Sequence, residues 1–353
     1  MAGERHPESD DARVGALRHV LPLPLRSSLA VVLVGVASVL GCKPGGSTAS
    51  EPLKSAAAGT GSLAPLAALP ALEPLQLRLD ELAATAGGQV GIVVLHVESG
   101  RSVTVGGERW LPLQSVYKLP LAVAVAKEVQ AGRVSWDQSV TVTEADRVPG
   151  ALVNQEQWKE LPRAVRVLQL LEYSLVQSDN IASEKLVTLI GGPGALTAQM
   201  RSLGFEERGL EERGLEERGL EERVPDKRGL EGAEGLPHHA PALPIARLLA
   251  GLQRGDVLPS AQREVLWEMM RRARTGERRI RAGVPVGTPV LEKTGTGRNG
   301  SVTNDVGLIT LPGDAGHLAL VVLLSGSSLP PDAQEDLIAE IARAAFNATL
   351  PSR

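Results

Sequence analysis

The β-rich runs of this chain gather at its two ends and leave a long helical stretch between them. Residues 90–98 (VGIVVLHVE) and 102–105 are rich in β-branched and apolar residues, with Ser99-Gly100 as the turn that joins them. Residues 289–294, 305–311 and 318–324 repeat that composition near the other end, separated by glycine-rich turns. Strands joined by such short turns run antiparallel, because a parallel crossover needs about a dozen residues or more. Between the two groups apolar residues recur at helical spacing, over 116–130, 165–176, 181–190, 194–203, 242–253 and 260–273. Helical stripes also stand outside the strands: 73–86, with leucines at 75, 79 and 82 ahead of a Gly87-Gly88 stop, and 334–348. Strand and helix do not alternate regularly, which argues against a parallel α/β sheet. The expectation is an α+β domain. It has one antiparallel five-stranded sheet, the terminal helices on one face, and an inserted all-helical subdomain on the other. An active site belongs between sheet and insertion.

Composition narrows the function. Lys plus Arg total 37 against 41 Asp plus Glu, a net charge of -4, which is not the basic excess of a nucleic-acid binder. Aromatic residues are 2% of the chain, too few for the stacking platforms that single strands require. The one cysteine, Cys42, excludes an intramolecular disulfide framework and leaves no thiolate cluster for structural zinc. That cysteine ends a run of thirteen apolar or small residues, LAVVLVGVASVLG, too short to span a bilayer and suited to the core of a signal peptide. Arg18 and Arg26 supply its positive flank, and Val39-Leu40-Gly41-Cys42 resembles the lipobox of bacterial lipoproteins. The expected organisation is therefore a lipoprotein signal peptide over 1–41 and a Gly/Ser/Ala/Pro tether over 42–72, with Cys42 lipidated. A catalytic domain then fills 73–353. The location that follows is the periplasmic side of a bacterial membrane, touched only through the lipid, with the protein a monomer.

Inside the domain, residues 206–223 read EERGL EERGL EERGL EER, eight glutamates and four arginines. A five-residue period matches neither 3.5 nor 3.6, so it holds no single helical face to a core. Solenoid repeats are about 20 residues or longer, so the segment reads as a solvated surface loop lengthened by duplication.

Three short motifs carry the chemistry: Ser115-Val116-Tyr117-Lys118, then Ser178-Asp179-Asn180, then Lys293-Thr294-Gly295. Each alone is weak; in this order and these contexts they are specific. Ser115 stands at a helix start, which places Lys118 one turn along on the same side. A serine hydroxyl is a poor nucleophile until a base takes its proton. Lys118 serves if burial and a neighbouring cation push its pKa down, and Lys293 is that cation as well as a point charge for a substrate carboxylate. Backbone N–H groups of Ser115 and Thr296 suit an oxyanion hole. Ser178 suits proton transfer to a departing nitrogen, and Asn180 suits a substrate amide.

These motifs make the chain resemble the class A serine β-lactamases and their penicillin-binding relatives over about residues 73 to 350. Gly191-Gly192-Pro193 and Thr303-Asn304-Asp305-Val306-Gly307 support the likeness, the latter in the manner of the extended-spectrum Bacteroidetes-type branch. The resemblance implies β-lactam hydrolysis through an acyl-enzyme on Ser115, with no cofactor and no metal. It also assigns Thr294, Gly295 and Thr296 to substrate binding. Ser115 to Ser178 spans 63 residues and Ser178 to Lys293 spans 115, where relatives have roughly 60 and roughly 105. The surplus equals two repeat units. It falls where the family places a glutamate, usually in Glu-Pro-x-Leu-Asn, that activates the deacylating water. No such segment occurs. Glu221 and Glu222 are the candidates, and Val224-Pro225 fits that position equally.

Two other patterns mislead. Gly295-Thr296-Gly297-Arg298-Asn299-Gly300 matches a dinucleotide fingerprint, yet a strand is expected after it where that motif needs a helix. His238-His239 has no partner ligands at metal spacing and reads as a polar loop. The rival function is a penicillin-binding or sensing domain, DD-peptidase-like, that is acylated but releases its adduct slowly.

Overall fold

The computed structural model describes residues 72–147, 156–205 and 238–350, all within the unit Ser62–Arg353. Cys42, the repeat, Glu221 and Glu222 lie outside the described residues.

Five strands form one sheet: β1 (Gln89–His96), β2 (Ser102–Val105), β7 (Val290–Thr296), β8 (Thr303–Thr310) and β9 (His317–Ser325). Their order is β2-β1-β9-β8-β7 and every pairing is antiparallel, as the short turns require. Alternate residues of β9 face opposite cores: Ala319, Val321 and Leu323 one way, Leu318, Leu320, Val322 and Leu324 the other. Both faces are apolar because both are covered.

One cover is the terminal helices α1 (Glu73–Thr85) and α9 (Pro331–Thr349). Leu75, Leu79 and Leu82 of α1 and Leu337, Ile338, Ile341, Ala345 and Phe346 of α9 pack there. Each large side chain so buried contributes about 1.5–3 kcal/mol. Phe346→Ala, at a 4% exposed position, would cost about 3–5 kcal/mol through the cavity it leaves.

The opposite cover is the helical middle: α2 (Lys118–Gln130), α3 (Val167–Val176), α4 (Asn180–Leu189), α5 (Pro193–Ser202), α6 (Ala242–Arg254) and α7 (Ser260–Arg271), while the short α8 (Ile280–Gly283) packs with the terminal helices through Ile280. α2 is buried on every side from Lys118 to Ala126 because its sequence, KLPLAVAVA, offers no polar face. Pro120 is tolerated there because it falls in the first turn.

The middle also holds two short ribbons that the apolar periodicity did not announce. β3 (Leu111–Pro112) pairs with β6 (His239–Ala240), and β4 (Ser139–Val142) with β5 (Arg163–Arg166). His239, expected in a polar loop, therefore sits opposite Pro112 in a ladder. Two-residue strands carry no readable period, so only tertiary pairing creates them. Residues 165–166, assigned by periodicity to a helix, are likewise strand.

Candidate active site

The serine turn comes first. Residues Gln114–Tyr117 form a 3-10 turn that leads directly into α2. Gln114, just before Ser115, has φ 48°, the left-handed region that ordinary side chains avoid, so surrounding contacts must hold it. Three do. Leu113 N–H donates to the His238 carbonyl at 2.7 Å, extending the β3–β6 ribbon. Asn304 Nδ2 of β8 donates to the carbonyls of Pro112 at 2.7 Å and Leu113 at 3.1 Å, while its Oδ1 accepts from Leu324 N–H at 3.0 Å. Gly295 of β7 packs so closely that a Cβ there would lie 2.4 Å from the Leu113 carbonyl oxygen. The glycine of the third motif is thus required by the first.

Lys118 is fully buried at the start of α2. Its Nζ donates to the Ser178 carbonyl at 2.6 Å and Asn180 Oδ1 at 2.6 Å, and lies 3.5 Å from Ser178 Oγ. The expectation was a direct reach to Ser115; among the described residues its hydrogen bonds go to the second motif. Burial pushes the Lys118 ammonium well below its usual range, and the nearby Lys293 adds to that, against Asp179 and Glu184. A neutral amine has two N–H donors and one lone pair. The two 2.6 Å acceptors take both donors and leave the lone pair to accept a proton.

Ser178 sits between α3 and α4 with φ 57°. Asp179 explains how it is held there. This fully buried carboxylate caps α4 by accepting from Ala182 N–H at 2.9 Å, and it also accepts from Trp158 Nε1 at 2.6 Å and Gln157 Nε2 at 2.8 Å. Asn180, the first residue of α4, then points back at Lys118.

Lys293, also fully buried, approaches from β7 and donates to Ser178 Oγ at 3.0 Å and to the Thr294 carbonyl at 2.8 Å. Burial draws its pKa down to about 7, helped by Arg279 and opposed by Asp305 and Glu292. Thr294 Oγ1 meets Thr275 Oγ1 at 2.6 Å, and Thr296 ends the strand, its hydroxyl held by Arg279 Nη2 at 2.8 Å. Gly297 leads into a 3-10 turn, Arg298–Gly300, and then β8, so no helix N-terminus follows the glycines.

The structure thus gathers Ser115, Lys118, Ser178, Asn180, Lys293, Thr294, Gly295 and Thr296 at the junction of sheet and helical middle. Sequence reading did not assign Asn304, Asp179 or Arg279 a place in this framework. Asp179 had a visible signal, an Asp directly before a helical stripe. Asn304 showed only as part of the Thr303–Gly307 motif and Arg279 not at all, since their partners are remote in sequence.

Comparison with known proteins gives the family. The family profile described as "Beta-lactamase enzyme family" matches residues 74–349. The extended-spectrum β-lactamase PER-1 of Pseudomonas aeruginosa is 29% identical over 73% of this chain and 81% of its own length. The β-lactamase VEB-1 of the same species is 26% identical over 77% and 89%. Among solved structures, a β-lactamase from Chitinophaga pinensis superposes with TM-score 0.66 at 29% identity, covering 78% of this chain and 99% of that one. The reconstructed last common ancestor of Gram-negative class A β-lactamases gives 0.65 at 32%, covering 78% and 98%.

Proposed function

This chain belongs to the class A serine β-lactamases and hydrolyses β-lactams, and from that premise we propose how its own residues share the work. The observation that carries the assignment is the double engagement of Ser178 by two buried lysines, one from α2 and one from β7. Lys118, its ammonium pushed well below the usual range by burial, takes the proton of Ser115 as its oxygen attacks the lactam carbonyl. The backbone N–H groups of Ser115 and Thr296 receive the oxyanion. Ser178 Oγ already accepts from Lys293, so its own hydrogen is free to pass to the lactam nitrogen as the C–N bond breaks, while Lys118, 3.5 Å from that oxygen, gives Ser178 the proton it took from Ser115. Lys293 and Thr294 receive the substrate carboxylate, and Asn180 a side-chain amide. Water then attacks the ester on Ser115. For that step Glu221 and Glu222 are the candidate bases.

The alternative, an acceptor that is acylated and released slowly, is not favoured, since the relatives named above are β-lactamases. A mass-spectrometric time course after mixing with a penicillin tests the proposal. The expected record is a transient adduct on the Ser115 peptide and none in Ser115→Ala. An adduct that persists for hours sinks the hydrolase reading in favour of the acceptor, and one that survives Ser115→Ala removes the nucleophile assignment.

We place the protein on the periplasmic side of a membrane, held by a lipid on Cys42. What supports this is the sequence: a thirteen-residue apolar run behind Arg18 and Arg26 that ends at the chain's one cysteine. Metabolic labelling with a fatty acid is expected to mark the wild-type chain and not Cys42→Ser; equal labelling of both excludes the anchor.

A further inference from the structure

Helix α4 presents one face to the start of α2. Asn180 opens that face, its Oδ1 2.6 Å from Lys118 Nζ. Ser183, one turn on, meets the Tyr117 phenol. Glu184 follows Asn180 by four residues, which sets its Cβ about 5–6 Å further along the same face. On this stripe Asn180 and Thr188 are exposed, while Glu184 between them is half-buried. Acylation as described above gives this carboxylate no part.

Its charge nevertheless reaches the two residues opposite. Burial pushes the Tyr117 phenol up, and the Glu184 charge adds to that. Burial and Lys293 push the Lys118 ammonium down, and the anions that oppose them are Asp179 and Glu184. The effect is mutual: burial lifts the Glu184 carboxyl above its ordinary value and the Lys118 charge draws it back.

The two anions are not equivalent. Asp179 is fully buried and already holds Ala182 N–H, Trp158 Nε1 and Gln157 Nε2, so its charge maintains the helix cap and the loop. Glu184 keeps one side towards water, where an ionised carboxylate is cheaper to hold. The chemistry calls for such a group. When the Ser115 O–H bond breaks and an N–H bond forms on Lys118, the fully buried amine becomes an ammonium, with Lys293 close by. A cation that appears in a dry site is costly unless an anion already stands beside it. We propose that Glu184 is a positioning residue of acylation, the counter-anion that stabilises Lys118 while it carries the Ser115 proton on its way to Ser178. Glu184 acts through Lys118, so the proposal rests on the reading of Lys118 as the base for Ser115.

Stopped-flow acylation with a chromogenic cephalosporin, and carbon-13 titration of the lysine Cε signals, test this on the whole protein. The chain has eight lysines, and Lys118→Arg identifies the Lys118 signal by its loss. Glu184→Gln keeps the shape of the side chain and removes its charge. That variant is expected to leave Kd unchanged, to move the Lys118 titration further below 10.5, and to slow acylation by about tenfold or more. Glu184→Asp keeps the charge and should recover most of the rate; Glu184→Ala takes the place of Glu184→Gln if the latter does not fold. A merely structural Glu184 predicts the opposite spectrum, because a loosened and wetter site lets Lys118 titrate closer to 10.5. Unchanged acylation, a Lys118 midpoint that stays or rises, or an Asp variant no faster than the Gln variant would each overturn the proposal. An adduct that survives Ser115→Ala would instead remove the reading beneath it.

Discussion

Lys293 Nζ donates to Ser178 Oγ at 3.0 Å, so a strand of the sheet and a loop of the helical middle meet at one hydroxyl. Lys118 approaches the same oxygen at 3.5 Å. Two cations so close in a dry site cannot both stay charged easily, and this sets the acid–base behaviour of the enzyme.

Burial draws the Lys293 ammonium down to about 7, so the free enzyme loses this cation as pH rises past that value. For a carboxylate-bearing penicillin, kcat/KM is expected to fall above about pH 7. Arginine stays charged throughout, so Lys293→Arg should lack the falling limb whatever its absolute activity. Stability runs the opposite way. The unfolded chain holds this proton up to the ordinary lysine value of 10.5, so the Lys293 contribution rises between about pH 7 and 10.5 and is least below 7. Coincident pH–rate profiles for the two proteins would remove Lys293 from carboxylate recognition.

Asn304→Ala removes two donors from the Pro112 and Leu113 carbonyls and one acceptor from Leu324 N–H. Leaving such groups buried and unpaired should cost about 1–3 kcal/mol in urea unfolding. Because those carbonyls fix the strained Gln114 ahead of Ser115, the acylation rate should drop by more than any change in Kd. Stopped-flow acylation with a chromogenic cephalosporin separates the two, and a variant that loses stability alone would show Asn304 to be purely structural.

Asp179→Ala takes the cap from α4 and leaves the buried Trp158 indole N–H without a partner. The two losses together predict a cost of about 2–4 kcal/mol. Asn keeps one acceptor oxygen, so Asp179→Asn should recover about half of it. Equal stability of the Ala and Asn variants would contradict the capping account.

For deacylation, the double variant Glu221→Gln with Glu222→Gln should still acylate and then stall as acyl-enzyme. Deleting residues 206–215, two whole repeat units, should leave folding nearly intact, since doubling a loop costs only about 0.6 kcal/mol. If the double variant turns over at the parent rate, the base lies elsewhere or Lys118 serves both steps.

The motif residues, their order and the α+β arrangement were legible in the sequence. Strand composition, short turns and helical stripes report local backbone preference, and local preference is what a linear pattern records. The antiparallel order follows from turn length, and the burial of Lys118 from a helix, KLPLAVAVA, with no polar face to offer. Which groups those lysines touch was not legible. Lys118 was expected on Ser115 and is bonded to Ser178 and Asn180, 60 and 62 residues away. Asn304 reaches back 191 and 192 residues to the serine turn, and Gly295 is small because that turn passes against it. Such contacts depend on side-chain packing between elements, which leaves no period along the chain. The sequence by itself determined which chemistry is present and on which elements it stands. Only the tertiary structure decided how the two ammonium groups are desolvated around one hydroxyl, because burial and hydrogen-bond geometry exist only once the sheet and the helical middle are packed together.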